Sequence, residues 1–334
     1  MTENQLEKAG EYLVAKHMDL IVNVRHDLSK QEQKIIAYMV SKVKPTDAEL
    51  KFVAFRISDF YELIGSSDST IEGGMARRHL KANLKSLSDK SFWITRDDGK
   101  DTLCRWIHKA TLDYDQDTVL LRLDEDLVPF LVGLRGRFLE YQLYFILQMT
   151  SSYSIRLYEI LKGEVWKKIP MLCTTEEFRR LLGADNVKMY KKNSSVFMAK
   201  CIRPAVKEIN ELTDIKVRCK EIRGDTRGRP LTHLQFIIRL KNDVEIEKAK
   251  KANEDRRGGQ IAMNTPQTNA EAFPVDELAE NIEDLQQDYE ELPRKWQDCK
   301  TFAQLQAWRA KNHPEYHYNW PKKAAADLGI EVPE

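Results

Sequence analysis

A triplet of cations occurs twice in the chain with the same internal spacing, and the second copy lies 122 residues after the first. The members are Arg78, Lys81 and Lys85, then Lys200, Arg203 and Lys207. Steps of three and four residues place such side chains on one face of a helix, where they can contact phosphates. Arg203 is best suited to donate two hydrogen bonds to the O6 and N7 atoms of guanine. Ordinary solvation is the alternative for any single lysine, and it stays open for Lys81 and Lys85.

Apolar residues opposite each triplet predict the helices that must position the cations. They are Ala76, Leu80, Leu84 and Leu87 in the first copy and Met198, Ile202, Val206 and Ile209 in the second. Their spacing is typical of a buried helical face, so we expect helices over residues 75–87 and 197–209. Pro204 should kink the second helix, because proline removes one backbone hydrogen bond. The kink could curve the helix along a groove or reflect local packing.

The segments around the two helices repeat as well. A short helix precedes each one and ends at Gly65 or Gly183. A β-hairpin follows each one, with strands near 92–96 and 103–112, then near 215–222 and 231–240. Helix, turn, helix and hairpin is the order of a winged helix, whose second helix normally lies in the DNA major groove. The expected fold is α+β, with two tandem winged-helix domains of similar topology and a C-terminal acidic helical extension.

Further cations and hydroxyl groups adjoin the two helices. Residues 191–195 lead into the second helix, where free N–H groups suit a phosphate and Ser195 is the expected N-cap. The second hairpin tip is rich in arginine and glycine, whereas the first carries Asp97, Asp98 and Asp101, so its domain should bind DNA more weakly or serve a dimer. The candidate DNA-binding residues are Arg77, Arg78, Lys81, Lys85, Lys191, Lys192, Ser194, Ser195, Lys200, Arg203, Lys207, Arg223, Arg227 and Arg229.

Composition and motifs argue against other classes of protein. The 334 residues give room for two domains and a tail. No apolar run reaches membrane-spanning length and no signal peptide is recognisable, so we expect a cytoplasmic protein without a membrane partner. Five scattered cysteines indicate reduced thiols. A phosphate-binding P-loop and a His-x-His metal pair are both missing, and Pro314 lies between His313 and His317, so we expect no enzyme, metal or cofactor.

Charge is distributed unevenly along the chain. Residues 151–240 hold 19 Lys and Arg against 10 Asp and Glu, whereas residues 271–334 hold 7 against 14. This segregation indicates a polyanion-binding module followed by an acidic segment with another role. Residues 258–273 are typical of a flexible linker, and apolar steps over 278–292 resemble a short coiled-coil seam. The acidic segment either packs on the protein itself or docks a partner.

These patterns divide the chain into five regions. They are an N-terminal helix and arm (1–27), a first winged-helix domain for dimerisation and DNA binding (28–150), a second and main DNA-binding winged-helix domain (151–242), a charged helix with a linker (243–273) and the acidic extension (274–334). We expect helices at 8–18 and 138–149, and a short apolar strand or arm at 20–24. Capping boxes beginning at Ser29 and Thr174 mark two further helix starts.

Three stretches of the chain carry a resemblance to a known family: LSKQEQKIIA at 28–37, FLEY at 138–141 with YSIRLYEIL at 153–161, and RPAVKEINELTDI at 203–215. Together they resemble the theta-type, iteron-binding plasmid replication initiators. The resemblance covers roughly residues 20–242, and the last stretch is its most specific part. It implies two winged-helix domains that bind direct repeats in double-stranded DNA at an origin as a monomer. It also implies that a homodimer in equilibrium with the monomer represses its own gene.

Two functions from different classes fit these observations. An origin-binding initiator would need a handle for a host replication initiator or helicase, and tandem direct repeats near the gene would favour it. A winged-helix transcriptional regulator with an acidic partner-binding tail is the alternative, and a single palindromic operator would favour that.

For the dimer, we expect pairing through an exposed strand at 103–112 of the first domain. Trp106→Glu in this strand should release the monomer if Trp106 is exposed.

Overall fold

A computed structural model describes residues 12–24, 27–43, 52–64, 75–95, 99–113, 117–134, 136–225, 229–259, 296–298 and 320–329. The elements up to residue 147 are β1 (Leu13–His17), α1 (Met18–Val22), α2 (Lys30–Val40), β2 (Val53–Arg56), α3 (Ile57–Leu63), α4 (Met75–Asp89), β3 (Ser91–Thr95), β4 (Asp101–Arg105), β5 (Ile107–Asp113), β6 (Thr118–Leu123), α5 (Val128–Leu131), β7 (Phe138–Gln142) and α6 (Tyr144–Leu147).

The second half continues with a long central helix and a second hairpin. Its elements are α7 (Ser152–Lys162), β8 (Met171–Thr174), α8 (Thr175–Leu181), α9 (Lys188–Lys192), α10 (Ser194–Phe197), a π-helical turn (Met198–Ile202), α11 (Arg203–Leu212), β9 (Ile215–Arg223), β10 (Leu231–Leu240), α12 (Asp243–Gly259) and α13 (Trp320–Leu328). Two winged-helix domains are therefore present, as the repeat predicts.

In the first domain, α2, α3 and α4 form the helical part and β3 with β4 forms the hairpin. The capping box is confirmed, because the Ser29 hydroxyl accepts from the Glu32 N–H and the Glu32 carboxylate accepts from the Ser29 N–H. The single strand predicted over 103–112 is wrong. The strand is interrupted at Trp106, which is buried against Phe92 with ring centroids 4.7 Å apart. After Trp106, β5 leaves the hairpin and joins a separate sheet of order β2-β6-β5.

The second domain follows the same plan, with α7, β8, α8, the helix from α10 to α11, and the β9–β10 hairpin in a sheet of order β8-β10-β9. Its capping box is also confirmed, between Thr174 and Glu177. Helix α8 ends where Gly183 adopts a φ of +68°, a left-handed conformation that glycine accepts without steric cost. Phe178 of α8 stacks on Phe236 of β10 with ring centroids 4.8 Å apart, and this contact fixes the helix on the sheet.

The segment predicted as a helix near residues 8–18 contains strand β1, and the one near 138–149 begins with strand β7 and is helical only over Tyr144–Leu147. Strand β1 pairs antiparallel with β7, so that Leu13 faces Gln142 and His17 faces Phe138. Helix α1 then occupies the segment that we expected to be a strand or an arm at 20–24. Residues 8–11 lie outside the described part. The local sequences favour a helix, but pairing between distant strands outweighs that preference.

Helix α7 lies between the two domains and packs against α2 on one side and α11 on the other. Its Arg156 is fully buried and donates hydrogen bonds to the carbonyl oxygens of Ile21 and Val24 in the N-terminal segment and of Leu181 in the second domain. Buried apolar side chains of both domains form one continuous cluster. The two domains therefore share a core at α7.

The C-terminal region differs from its prediction at one point. Helix α12 runs through Gly259, so Gly258 and Gly259 belong to a helix and not to a linker. The expected coiled-coil seam at 278–292 lies outside the described residues, and so does most of the acidic extension. Within the described residues, none of the helices combines the length and the hydropathy that crossing a bilayer requires.

Candidate nucleic-acid interface

Helix α4 presents its cations on the side opposite its core contacts, as the spacing predicts. Leu80, Leu84 and Leu87 are at most 2% exposed, whereas Arg78 and Lys81 are exposed. Because the leucines anchor one side of the helix in the core, the cations can only point outward. The side chain of Ala76 lies outside the described residues.

Two of the four candidate cations on α4 already have acidic partners. Lys85 forms an ion pair with Asp89 at 2.7 Å, one turn along the helix and exposed to solvent. Arg77 contacts Asp117 at 3.3 Å, and Asp117 also accepts a hydrogen bond from the backbone N–H of Ser58. Burial alone would raise the pKa of Asp117, but the bonds from Ser58 and Arg77 outweigh it and lower the pKa. Arg77 thus holds the β5–β6 turn, and Arg78 and Lys81 are the better DNA-contact candidates.

The second recognition helix begins two residues earlier than the sequence suggests. Asn193 is the N-cap, and its side-chain oxygen accepts from the backbone N–H groups of Ser195 and Val196. The prediction of Ser195 as the N-cap is therefore wrong. Because asparagine already uses these two N–H groups, a phosphate at this helix end would have to rely on side chains. Lys191 and Lys192 lie just before the cap and are exposed.

Pro204 is accommodated by a π-helical turn and lies at the second position of the α-helical segment after it. The Arg203 N–H donates to the carbonyl of Met198, five residues back, so the helix passes through the region where proline supplies no donor. The extra residue in this turn rotates the downstream helix about its axis. Ala205 is buried while Val206 is only half-buried, so one member of the predicted apolar stripe moves by one position. Met198, Ile202 and Ile209 are buried as predicted.

Arg203, the cation expected to read guanine, is tied to the second hairpin. Its guanidinium donates to Glu221 Oε1 at 2.9 Å, and Arg223 donates to Glu221 Oε2 at 2.6 Å. One carboxylate therefore links the recognition helix to the hairpin through two arginines. Burial alone would raise the pKa of Glu221, yet the bonds from Arg223 and Arg203 hold it below its usual value. Arg203 remains 60% exposed and keeps N–H donors beyond the one that Glu221 accepts.

Lys200 and Lys207 are exposed on the same helix and have no ion-pair partner among the described residues. At the hairpin tip, the Gly224 N–H donates to the Pro230 carbonyl at 2.9 Å, and Arg229 adopts a left-handed φ of +40°. Arg227 lies outside the described part, as do Asp97 and Asp98 of the first hairpin. The second tip thus offers Arg223 and Arg229 as exposed cations.

A row of cations on β9 escaped the sequence interpretation. Lys216, Arg218 and Lys220 alternate with the buried side of the strand; Lys216 is half-buried and the other two are exposed. They point away from α11, because Ile215 and Val217 face the core. The spacing of two residues in a strand is the signal that could have found them. None of the three has an ion-pair partner in the described ranges.

Two family models match the chain over both domains. Residues 13–162 match the model described as Initiator Replication protein, WH1, and residues 174–238 match Initiator Rep protein, WH2. The chain belongs to the initiator replication protein family. This initiator is also 22% identical over 258 residues to a "Replication initiation protein" from Escherichia coli, across 75% of this chain and 77% of that one. It is therefore a DNA-binding plasmid replication initiator with two winged-helix domains.

A solved structure gives a weaker likeness. The crystal structure of selenomethionine derivatives of domain 2 and domain 3 of RctB aligns with the initiator at a TM-score of 0.39 and 14% sequence identity. The alignment covers 64% of the initiator and 82% of that chain.

Proposed function

We propose that the initiator binds tandem direct repeats (iterons) at a replication origin as a monomer, with both recognition helices on one face of the duplex. The supporting observation is that α4 and the helix from α10 to α11 each expose cations opposite a buried apolar side. Arg78, Lys81, Lys200 and Lys207 have no ion-pair partner in the described part, so they are available to phosphates. Arg203 supplies the base contact.

Footprinting on a duplex that carries tandem repeats tests this proposal. Two recognition helices in successive major grooves lie about 10 base pairs apart, so each bound monomer should protect roughly two helical turns. The matched control is the same duplex with the spacing inside each repeat increased by about five base pairs, which turns one half-site to the opposite face. Protection of a single turn, or equal binding to both duplexes, would contradict engagement of both domains.

We further propose that the homodimer assembles through the first domain and represses the initiator's own gene at an inverted repeat. Its supporting feature is β5, the last strand of the sheet β2-β6-β5, which has no further neighbour among the described strands. Gel shifts at equal protein concentration on direct and inverted repeats test this assignment. A dimer that binds both DNA types equally well would rule it out.

The alternative is a transcriptional regulator whose acidic tail contacts a partner. Residues 271–334 hold 7 Lys and Arg against 14 Asp and Glu, which suits contact with a cationic protein surface and not with DNA. In an initiator the same tail is a candidate handle for a host replication initiator or helicase. Plasmid maintenance separates the two functions, since loss of a regulator changes expression while loss of an initiator abolishes replication.

A further inference from the structure

Helix α12 lies after the last residue matched by the second family model, residue 238, and packs on the back of the recognition helix. Arg256 of α12 reaches two carboxylates of α11, Glu208 Oε1 at 3.0 Å and Glu211 Oε2 at 2.8 Å. Asn253 is buried and donates from Nδ2 to the carbonyl of Leu212 at 2.8 Å, at the end of the same helix. Glu208 and Leu212 lie on the buried side of α11, whereas Glu211 lies one helical turn after Lys207.

The same helix reaches the first domain and the junction. Tyr144 Oη, in α6, donates to the carbonyl of Lys250 at 2.6 Å. Glu208, which accepts from Arg256, also accepts from the backbone N–H and the hydroxyl of Thr150 at 3.0 and 2.7 Å. Glu208 is 7% exposed, and burial alone would raise its pKa, but hydrogen bonds that include those from Thr150 and Arg256 lower it. One buried carboxylate therefore joins three parts of the chain.

The first turn of α12 is fixed to the second hairpin. Arg239 of β10 makes two hydrogen bonds to Glu245, at 2.8 and 2.9 Å, and these bonds lower the pKa of Glu245 to about 2. The Asn242 side chain caps the helix by accepting from the Glu245 N–H at 3.0 Å. Ala249, one turn later, is completely buried, so the helix axis approaches the body closely. Helix α12 is thus attached at its start, its middle and its end.

We propose that α12 sets the position of the second recognition helix relative to the first domain, and that Arg256 is its main positioning residue. The inference rests on the proposed two-domain contact with the direct repeat. A buried carboxylate that loses its cationic partner becomes unfavourable, so removal of Arg256 lets Glu208 and α11 shift. Arg256 contacts α11 through Glu208 and Glu211, so we expect it to act on DNA binding through the position of α11. Base contacts by the second domain alone should survive the change.

The test compares Arg256→Gln with Lys251→Ala in the full chain. Lys251 lies on the same helix, is exposed and has no ion-pair partner in the described part, so the control removes the same charge without the contact. Dissociation constants are measured on a complete repeat and on a shortened duplex that holds only the second domain's half. Arg256→Gln should weaken binding to the complete repeat about tenfold and to the short duplex less than about threefold. Lys251→Ala should change both equally.

Equal losses on both duplexes for Arg256→Gln, or no loss at all, would overturn the inference. If the wild-type chain gains nothing from the complete repeat, the proposed function fails instead. Amide hydrogen exchange, measured without DNA, then tests whether α12 positions α11. Exchange should accelerate in α11 and α6 of Arg256→Gln and stay unchanged in the β3–β4 hairpin, and unchanged exchange in α11 would also refute the positioning role.

Discussion

At the scale of single residues, Glu221 fixes Arg203 relative to Arg223, two of the residues that we propose for DNA contact. Its carboxylate accepts from Arg203 and Arg223 at once, so the recognition helix and the hairpin tip are held in one geometry. The Glu221 carboxylate also neutralises part of the positive charge of the two arginines, which would otherwise attract any phosphate. Holding the two arginines in one orientation therefore lowers the affinity for random DNA, and this loss can be measured against the gain in sequence preference.

Glu221→Ala should raise affinity for random duplex while lowering preference for the initiator's own repeat. Two arginines lose their acidic partner, so the slope of log affinity against log salt should steepen by about one to two. Arg203 loses its fixed orientation, which should reduce discrimination at one base pair by roughly 1 kcal/mol or more. Gel shifts over a salt series check both effects. Glu176→Ala, an exposed acid elsewhere in the second domain, is the control, and identical behaviour of the two variants would disprove the role.

Lys34 is a second residue whose environment has a measurable consequence. It is 5% exposed, and burial, helped by the nearby Lys30, lowers its pKa to about 7. In the unfolded chain the same amine titrates near 10.5. Between these two pKa values the unfolded chain binds more protons than the folded one. The free energy of unfolding should therefore rise with pH across that window, and the destabilisation is complete below about pH 7.

Lys34→Met should remove this dependence, because methionine fills a similar volume without a charge. The variant should exceed the wild type in stability at pH 6.5, and the difference should shrink by about 2 kcal/mol by pH 8.5. Urea unfolding at three pH values measures it. Lys251→Met, at an exposed position, should leave the pH profile unchanged. A constant difference between Lys34→Met and wild type would show that Lys34 stays charged in the folded protein.

At the scale of elements, local signals predicted most helices and both hairpins of the initiator. The capping boxes at Ser29 and Thr174, the glycine at 183 and the spacing of the cations depend on neighbours in sequence, so the sequence alone reveals them. The pairing of β1 with β7 does not, since it joins segments about 120 residues apart. The ion pairs of Arg77 and Arg203 were missed for the same reason, because Asp117 and Glu221 lie on other elements.

Strand β5 gives the element-scale test of the proposed dimer. Trp106 is buried, so Trp106→Glu would damage the core and cannot probe an interface. Thr111 is exposed near the middle of β5. If twin β5 strands pair antiparallel across a two-fold axis, Thr111→Glu brings like charges close together and should weaken the dimer about tenfold.

Sedimentation at several concentrations measures the dimer dissociation constant of Thr111→Glu. The matched control is Ser91→Glu, an exposed residue on β3 of the neighbouring hairpin. A dimer constant equal to that of wild type would place the interface elsewhere. If Ser91→Glu weakens the dimer as much as Thr111→Glu does, the hairpin and not β5 carries the contact.

At the scale of the whole molecule, α12 extends the folded body beyond residue 242, where the sequence patterns end the second winged-helix domain. That boundary alone would predict that a chain ending at Asn242 contains the whole DNA-binding unit. A cut at Asn242 also removes α12 and its bonds to Glu208, Glu211 and Leu212. The sequence marks α12 only weakly as part of the body, because the apolar residues on its packed side, Ile246, Ala249 and Ala252, are few and mostly small.

A chain ending at Gly259 should bind direct repeats at least as tightly as the full chain, since it keeps α12 and loses a segment of net charge −7. A chain ending at Asn242 should bind about tenfold more weakly. Dissociation constants for the three lengths on one repeat decide the matter. Weak binding by both shortened chains would assign the acidic segment to the binding unit.

The position of Arg156 also has a consequence for how the initiator is made. Its guanidinium donates hydrogen bonds to the carbonyls of Ile21 and Val24, and β1 pairs with β7. The N-terminal segment therefore lacks these partners until translation has passed α7, which ends at residue 162. A nascent chain that already contains all of α4 therefore still has an N-terminal segment without these partners. The ribosome must deliver nearly half of the protein before β1 and α1 can take their final positions. Premature termination should leave fragments for proteases and not partial competitors at the origin.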